Sequence, residues 1–222
     1  MEAGREVRWP VLQVAFDQTS LEEALRIAEK VVKAGNLWLE VGTPLIKAEG
    51  MKAVAEFRKR FPDYVIVADM KTFDAGWVEA ELAVKAGANV VSVLGAADEE
   101  TVIDVIETCR KLGAKSLVDL MGVNDPIEKA ARAEKLGADI VLIHVGFGKQ
   151  KRGENALTAL NLVEKIAKSI KIPVATAGGI KPGSARKFVD AGCKIVIVGS
   201  AITKAEDPEA AAKKILEEIG SE

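Results

Sequence analysis

Lys135-Leu136-Gly137-Ala138-Asp139-Ile140-Val141-Leu142-Ile143-His144 reads as a helix that closes on a glycine and, within a few residues, an apolar strand that runs into the chain's single histidine. Glycine adopts the left-handed backbone that commonly ends a helix, so the stretch is a helix-to-strand junction. The same punctuation recurs at Lys33-Ala34-Gly35, Lys85-Ala86-Gly87, Lys111-Leu112-Gly113 and Asp190-Ala191-Gly192, each time ahead of a β-rich run. Working outward from these junctions, strands are expected near 11–16, 37–41, 64–69, 89–94, 115–119, 139–144, 172–176 and 194–198. A helical pattern follows each of them, the last over Pro208 to Ile219. Repeats this short, without a linker or low-complexity stretch between them, predict a single (β/α)8 TIM barrel over residues 11–222. A doubly wound open sheet competes, but the first strand-to-helix turn, Asp17-Gln18-Thr19-Ser20, lacks the glycine-rich fingerprint of a dinucleotide fold. Met1 to Pro10 are read as an arm on the barrel bottom or as the remnant of a linker to another domain.

Composition narrows the function classes. The 31 basic and 33 acidic residues nearly cancel and are spread along the chain, which leaves no basic stripe for nucleic acid and no polybasic membrane patch. No apolar run approaches the roughly 18 to 20 residues of a membrane span, and no signal-peptide pattern opens the chain, so a cytoplasmic protein is expected. Cys109 and Cys193 lack metal-type spacing and are expected to be buried free thiols, consistent with a reducing compartment.

In a barrel of this kind the chemistry sits where strands end and loops begin. The third strand runs into Asp69-Met70-Lys71-Thr72-Phe73-Asp74. The two-residue period of a strand puts Asp69 and Lys71 on the face of Val65 and Val67, and opposite charges there are costly to desolvate unless they do work. The same rim receives Asp17, Glu40, Asp119 and His144 from other strand ends. Asp17 is also placed to cap the helix starting near Ser20, and for Asp119 a hydrogen bond to the turn at Gly122 is the preferred role. Glu40 interrupts Trp38-Leu39-Glu40-Val41 and caps nothing. Glu40 and Asp69, from neighbouring strands, suit a hard divalent cation such as Mg2+, with Lys71 neutralising one carboxylate or stabilising developing negative charge. His144 is a candidate acid-base group, because histidine titrates near neutral pH. Ala177-Gly178-Gly179-Ile180 and Val198-Gly199-Ser200-Ala201 follow strands seven and eight. That is the usual phosphate site of the architecture, and its glycines let backbone N–H groups approach an anion.

These residues resemble the orotidine 5'-monophosphate decarboxylase superfamily and, within it, the 3-hexulose-6-phosphate synthase branch. The similarity runs from Leu12 to about Pro208 and is carried by Leu12 to Asp17, Glu40-Val41-Gly42-Thr43-Pro44-Leu45-Ile46-Lys47, Ala68 to Gly76, His144-Val145-Gly146, Ala177 to Ile180 and Val198-Gly199. The Asp-x-Lys-x-x-Asp pattern marks the superfamily, while the Glu-x-Gly-Thr-Pro-Leu-Ile segment and the Met-Lys-Thr-x-Asp form of the motif are more specific to the branch. The resemblance implies a ribulose-phosphate-binding barrel and an aldehyde-lyase: a Mg2+-dependent aldol addition of formaldehyde to D-ribulose 5-phosphate, giving D-arabino-hex-3-ulose 6-phosphate, and the reverse cleavage. By that likeness Glu40 and Asp69 bind the metal, which stabilises an enediolate. His144 shuttles protons, and Lys71 and Asp17 position the substrate. Asp74 enters the partner's active site across a homodimer. The decarboxylase branch instead uses a metal-free charged array with a lysine in the region of Glu40, so Glu40 favours metal chemistry.

The chain departs from the family pattern in two places. Ser200 stands where relatives usually carry a phosphate-gripping arginine, and the loop after His144 brings Lys149, Lys151 and Arg152, read as a solvated loop or as replacement positive charge. Two further readings share these residues: a 3-keto-L-gulonate 6-phosphate decarboxylase, and a non-catalytic barrel that senses sugar phosphates or serves as a scaffold.

Overall fold

A computed structural model describes residues 8–153 and 155–221. Eight parallel strands close into a barrel in sequence order, β1 (Val11–Phe16), β2 (Trp38–Val41), β3 (Val65–Thr72), β4 (Val90–Leu94), β5 (Lys115–Asp119), β6 (Ile140–His144), β7 (Val174–Ala177) and β8 (Ile195–Val198). The circle is completed where β8 returns to β1, with Val11 opposite Ile195 and Leu12 opposite Val196. The helices are α1 (Leu21–Val31), α2 (Thr43–Glu49), α3 (Met51–Arg60), α4 (Gly76–Lys85), α5 (Glu99–Lys111) and α6 (Pro126–Leu136). After β6 come α7 (Phe147–Gln150), α8 (Leu160–Ser169), α9 (Ala185–Asp190), α10 (Ser200–Thr203) and α11 (Pro208–Ile219).

The junction glycines do what their position in the sequence predicts. Gly137 closes α6 in the left-handed region at φ 90°, and the glycines at 35, 87, 113 and 192 also hold positive φ. Each strand lies within a few residues of its expected place. The exception in kind is β3, which continues to Thr72 through a register shift between Ala68 and Thr72, with Lys71 at φ 48°.

Alternation along the strands sorts the core into two layers. Leu12, Val14 and Phe16 face outward, where Phe16 meets Phe57 of α3 at a ring separation of 5.3 Å. Val11, Trp38, Val67, Leu117, Ile140 and Ile195 face inward and fill the barrel with side chains. Toward the C-terminal ends of the strands the inward positions turn polar. Gln13, Glu40, Asp69, Ser92 and Asp119 are all buried there. A polar layer on top of an apolar plug is where a site can form without opening the core.

Ser20, not Asp17, caps α1, its Oγ accepting from the Glu23 N–H at 3.4 Å. Trp9 packs edge-on against Trp38 at 6.0 Å. The rest of the arm expected over Met1 to Pro10, from Met1 to Val7, lies outside the described residues. Among those residues Cys109 and Cys193 are buried and free, and no helix is long and apolar enough to cross a membrane.

Candidate active site

A cavity of about 490 Å3 opens at the C-terminal end of the barrel. Asp17, Glu40, Asp69, Lys71 and His144 line it, and so do Gly178, Gly179, Gly199 and Ser200 from the β7 and β8 loops. Asp74 does not: it is exposed on the loop before α4, where its Oδ1 accepts from the Ala75 N–H at 2.7 Å.

Asp69 is the most heavily held group. Its Oδ1 accepts from Ser92 Oγ at 2.8 Å, and the Thr43 hydroxyl sits 2.8 Å from Oδ2 and 2.6 Å from the Asp69 carbonyl oxygen. Lys71 Nζ donates to the same Oδ2. Burial pushes the Asp69 carboxyl up, but Lys71, Thr43 and Ser92 together hold it below its ordinary value. Ser92 also accepts from the Lys71 backbone N–H at 3.0 Å, so one hydroxyl fixes both the carboxylate and the left-handed residue beside it. Simple strand alternation does not bring the two charges together, because β3 is irregular here. A clamp from β4 does.

Lys71 reaches a second carboxylate, Asp119 Oδ2, at 3.7 Å. Burial works against its charge, yet Asp69, Asp119 and Glu40 outweigh that and raise the ammonium above its ordinary value. Asp119 is fully buried and does more than the expected turn bond. Its Oδ1 accepts from the Met121 N–H at 2.9 Å, close to the turn anticipated at Gly122, while Oδ2 lies 3.0 Å from His144 Nδ1. A carboxylate acceptor there selects the tautomer protonated on Nδ1 and leaves Nε2 as the basic nitrogen. The turn bond expected of Asp119 is therefore present, and its second oxygen also joins Lys71 and His144 into one network.

Glu40 stands apart from that network. Gln13 Nε2 donates to its Oε2 at 2.6 Å, and burial followed by repulsion from Asp69 pushes the carboxyl up to about 8. Asp17 is raised by the same two causes in the same order. It fits against Gly42, where a Cβ would come within 2.2 Å of Oδ1. Asp69 thus raises the proton affinity of both Glu40 and Asp17, and the three carboxylates bring hard oxygen donors to one cavity. Among the described residues no three His, Cys, Asp or Glu side chains form a ready-made metal cage. Two carboxylates with open positions for substrate oxygens suit Mg2+, whereas a closed cage is the more usual arrangement for Ca2+ or structural zinc.

The glycine loops owe their sequence to close approach. A Cβ on Gly178 would lie 2.4 Å from the Val145 carbonyl oxygen, and φ at that position is 112°. Gln150 of α7 spans the same gap, donating from Nε2 to that carbonyl at 2.8 Å. Lys149, Lys151 and Arg152 are exposed and stand outside the cavity lining. Sequence reasoning assigned no role to Thr43, Ser92, Gln13 or Gln150, nor to Lys47, which also lines the cavity. Ser92 had a legible signal, a hydroxyl at an inward position of Val90-Val91-Ser92-Val93, but nothing along the chain says which carboxylate it meets.

Residues 10–215 match the family model described as "Orotidine 5'-phosphate decarboxylase / HUMPS family". The chain is 39% identical over 203 residues to a 3-hexulose-6-phosphate synthase from Methylomonas aminofaciens, covering 91% of this chain and 96% of that one. A crystal structure of 3-hexulose-6-phosphate synthase superimposes with a TM-score of 0.88 at 40% identity, over 94% of this chain and 99% of the other. A 3-keto-L-gulonate-6-phosphate decarboxylase from Vibrio cholerae is more distant, at 29% identity and a TM-score of 0.83, over 96% of this chain and 98% of that one.

Proposed function

The chain belongs to the orotidine 5'-phosphate decarboxylase / HUMPS family, and from that premise we propose that it is an aldehyde-lyase, a 3-hexulose-6-phosphate synthase, joining formaldehyde to D-ribulose 5-phosphate and catalysing the reverse cleavage. The observation that carries the proposal is the polar layer itself. Glu40 and Asp69 from adjacent strands share one cavity with a Lys71–Asp119–His144 network and with the two glycine loops. The synthase relatives, at up to 40% identity, stand nearer than the decarboxylase at 29%.

In the forward direction a C1–H bond of the ketose phosphate breaks, C1 bonds to the formaldehyde carbon, and the aldehyde oxygen takes up a proton. His144 moves these protons, with Asp119 holding Nδ1 so that Nε2 exchanges with substrate. Lys71, fixed between Asp69 and Asp119, places an ammonium beside the oxygens on which charge develops. Asp17 makes no hydrogen bond to the described residues and is open to a substrate hydroxyl. Backbone N–H groups at Gly178, Gly179 and Gly199, with the Ser200 hydroxyl, receive the phosphate. Glu40 and Asp69 would hold Mg2+, whose Lewis acidity stabilises negative charge on adjacent substrate oxygens.

The protein is also inferred to act as a homodimer. Phe73, Trp77 and Leu82 are 61%, 56% and 51% exposed on the segment that carries Asp74. Exposed apolar residues of that size call for cover, and a second copy covering them would carry its Asp74 toward the neighbouring cavity.

The deciding assay follows formaldehyde consumption with D-ribulose 5-phosphate, and its release in reverse, with Mg2+ and with a chelator. Mg2+-dependent turnover in both directions is expected, abolished by Asp69→Ala and His144→Ala. No metal-dependent turnover in either direction overturns the proposal, as does faster CO2 release from 3-keto-L-gulonate 6-phosphate.

A further inference from the structure

Gln13 is out of place by every packing criterion. It lies on β1 among the inward residues Val11, Ala15, Trp38 and Ile195, and it is 1% exposed. A leucine or methionine would fill the same volume without a polar group to desolvate. The amide is only half used. Nε2 donates to Glu40 Oε2 at 2.6 Å, while the buried Oε1 has no partner among the described residues. An unsatisfied buried carbonyl loses its water without a replacement, so the residue weakens the core in exchange for one contact.

What the contact accomplishes is visible at Glu40. The register sets Ala15, not Gln13, opposite Glu40, so the long Gln13 side chain reaches up one inward step to meet it. Oε2 is thereby pinned, and Oε1 makes no hydrogen bond to the described residues although Glu40 lines the cavity. Asp69 is held by three donors, whereas Glu40 has this one. A glutamate with one oxygen anchored from below and the other left open is a metal ligand with its orientation already fixed. We propose that Gln13 is the positioning residue of the metal site, holding Glu40 so that Oε1 is presented to the cation. This rests on the reading that Glu40 and Asp69 bind Mg2+. Outer partners of metal ligands typically contribute about 10- to 100-fold in metal affinity, and among the described residues no other side chain hydrogen-bonds Glu40.

The test compares wild type with Gln13→Met and Gln13→Leu, titrating metal-free protein with Mg2+ and Mn2+ by calorimetry and measuring thermal unfolding without metal. The expected result is about tenfold or greater loss of metal affinity with a melting temperature equal to or above wild type, because the orphaned carbonyl is gone. Full activity should return at saturating Mg2+. In a Glu40→Gln background, Gln13→Met should have no further effect on metal affinity, since its action runs through Glu40. Unchanged affinity in both variants overturns the proposal. So does a fall in melting temperature with activity that excess Mg2+ does not restore, which marks a purely structural role. A wild-type protein that binds neither cation overturns the metal reading itself, and that failure is separate because it shows before any variant is made.

Discussion

Asp119 shows how much one buried carboxylate can organise. It is 0% exposed, yet it meets the Met121 N–H, His144 Nδ1 and Lys71 Nζ at once. Asn at this position keeps the shape and an acceptor but removes the charge and allows the amide to face His144 with a donor, which favours the wrong tautomer. Asp119→Asn is expected to lower kcat by about 10²-fold or more, the usual scale of acid-base catalysis, while KM for the sugar phosphate changes little. Steady-state kinetics beside His144→Ala checks this, and a variant with wild-type kcat removes Asp119 from the mechanism. The sequence placed Asp119 at a strand end, and that was correct. It could not rank the residue, because its partners come from β3 and β6, 48 and 25 positions away.

At the scale of elements, the site depends on how firmly each strand is tied to its neighbours. Arg58 of α3 is the clearest tie. Its Nε donates to the Gly87 carbonyl at 3.0 Å, Nη1 to the Pro62 and Tyr64 carbonyls at 2.8 and 3.1 Å, and Nη2 to the Asn89 side chain. One guanidinium thus joins the end of α3, the start of β3 and the α4–β4 turn. Asn89 Oδ1 passes the link on to the Ile66 N–H at 2.9 Å. Arg58→Ala should cost about 3 kcal/mol in urea unfolding, the range for losing a multiply bonded, partly buried charge and orphaning its acceptors. A loss under about 0.5 kcal/mol, the scale of an ordinary surface substitution, contradicts this role. The glycine-to-strand junctions were readable because they are local events. The irregular end of β3 was not, because Lys71 takes its left-handed backbone only where Ser92 of β4 is there to accept its N–H.

At the scale of the whole molecule, the barrel gathers charge at one end and leaves apolar surface on one flank. Phe73, Trp77 and Leu82 crowd the same segment as the exposed Asp74. If a second copy covers that flank, Trp77→Glu places a charge in a desolvated contact. The dimer should then separate at micromolar concentration, read by sedimentation velocity. Asp74→Ala should leave the dimer intact while lowering kcat, read by the same assay as the wild type. A monomeric wild type with full activity overturns the interface and the role of Asp74 together.

The sequence by itself determined the fold, placing each strand within a few residues, because a barrel of short repeats is written in local signals: a glycine at five of the helix-to-strand junctions and an apolar run where each strand must bury both faces. It also placed Glu40, Asp69, Lys71 and His144 on one rim, since strand ends of a closed barrel share an end whatever the loops do. Tertiary structure alone decided who holds whom. Ser92 and Thr43 on Asp69, Asp119 between Lys71 and His144, and Gln13 beneath Glu40 are contacts between different elements of the barrel. The stagger between neighbouring strands sets which side chains meet, and that geometry is not written in the spacing of residues along the chain.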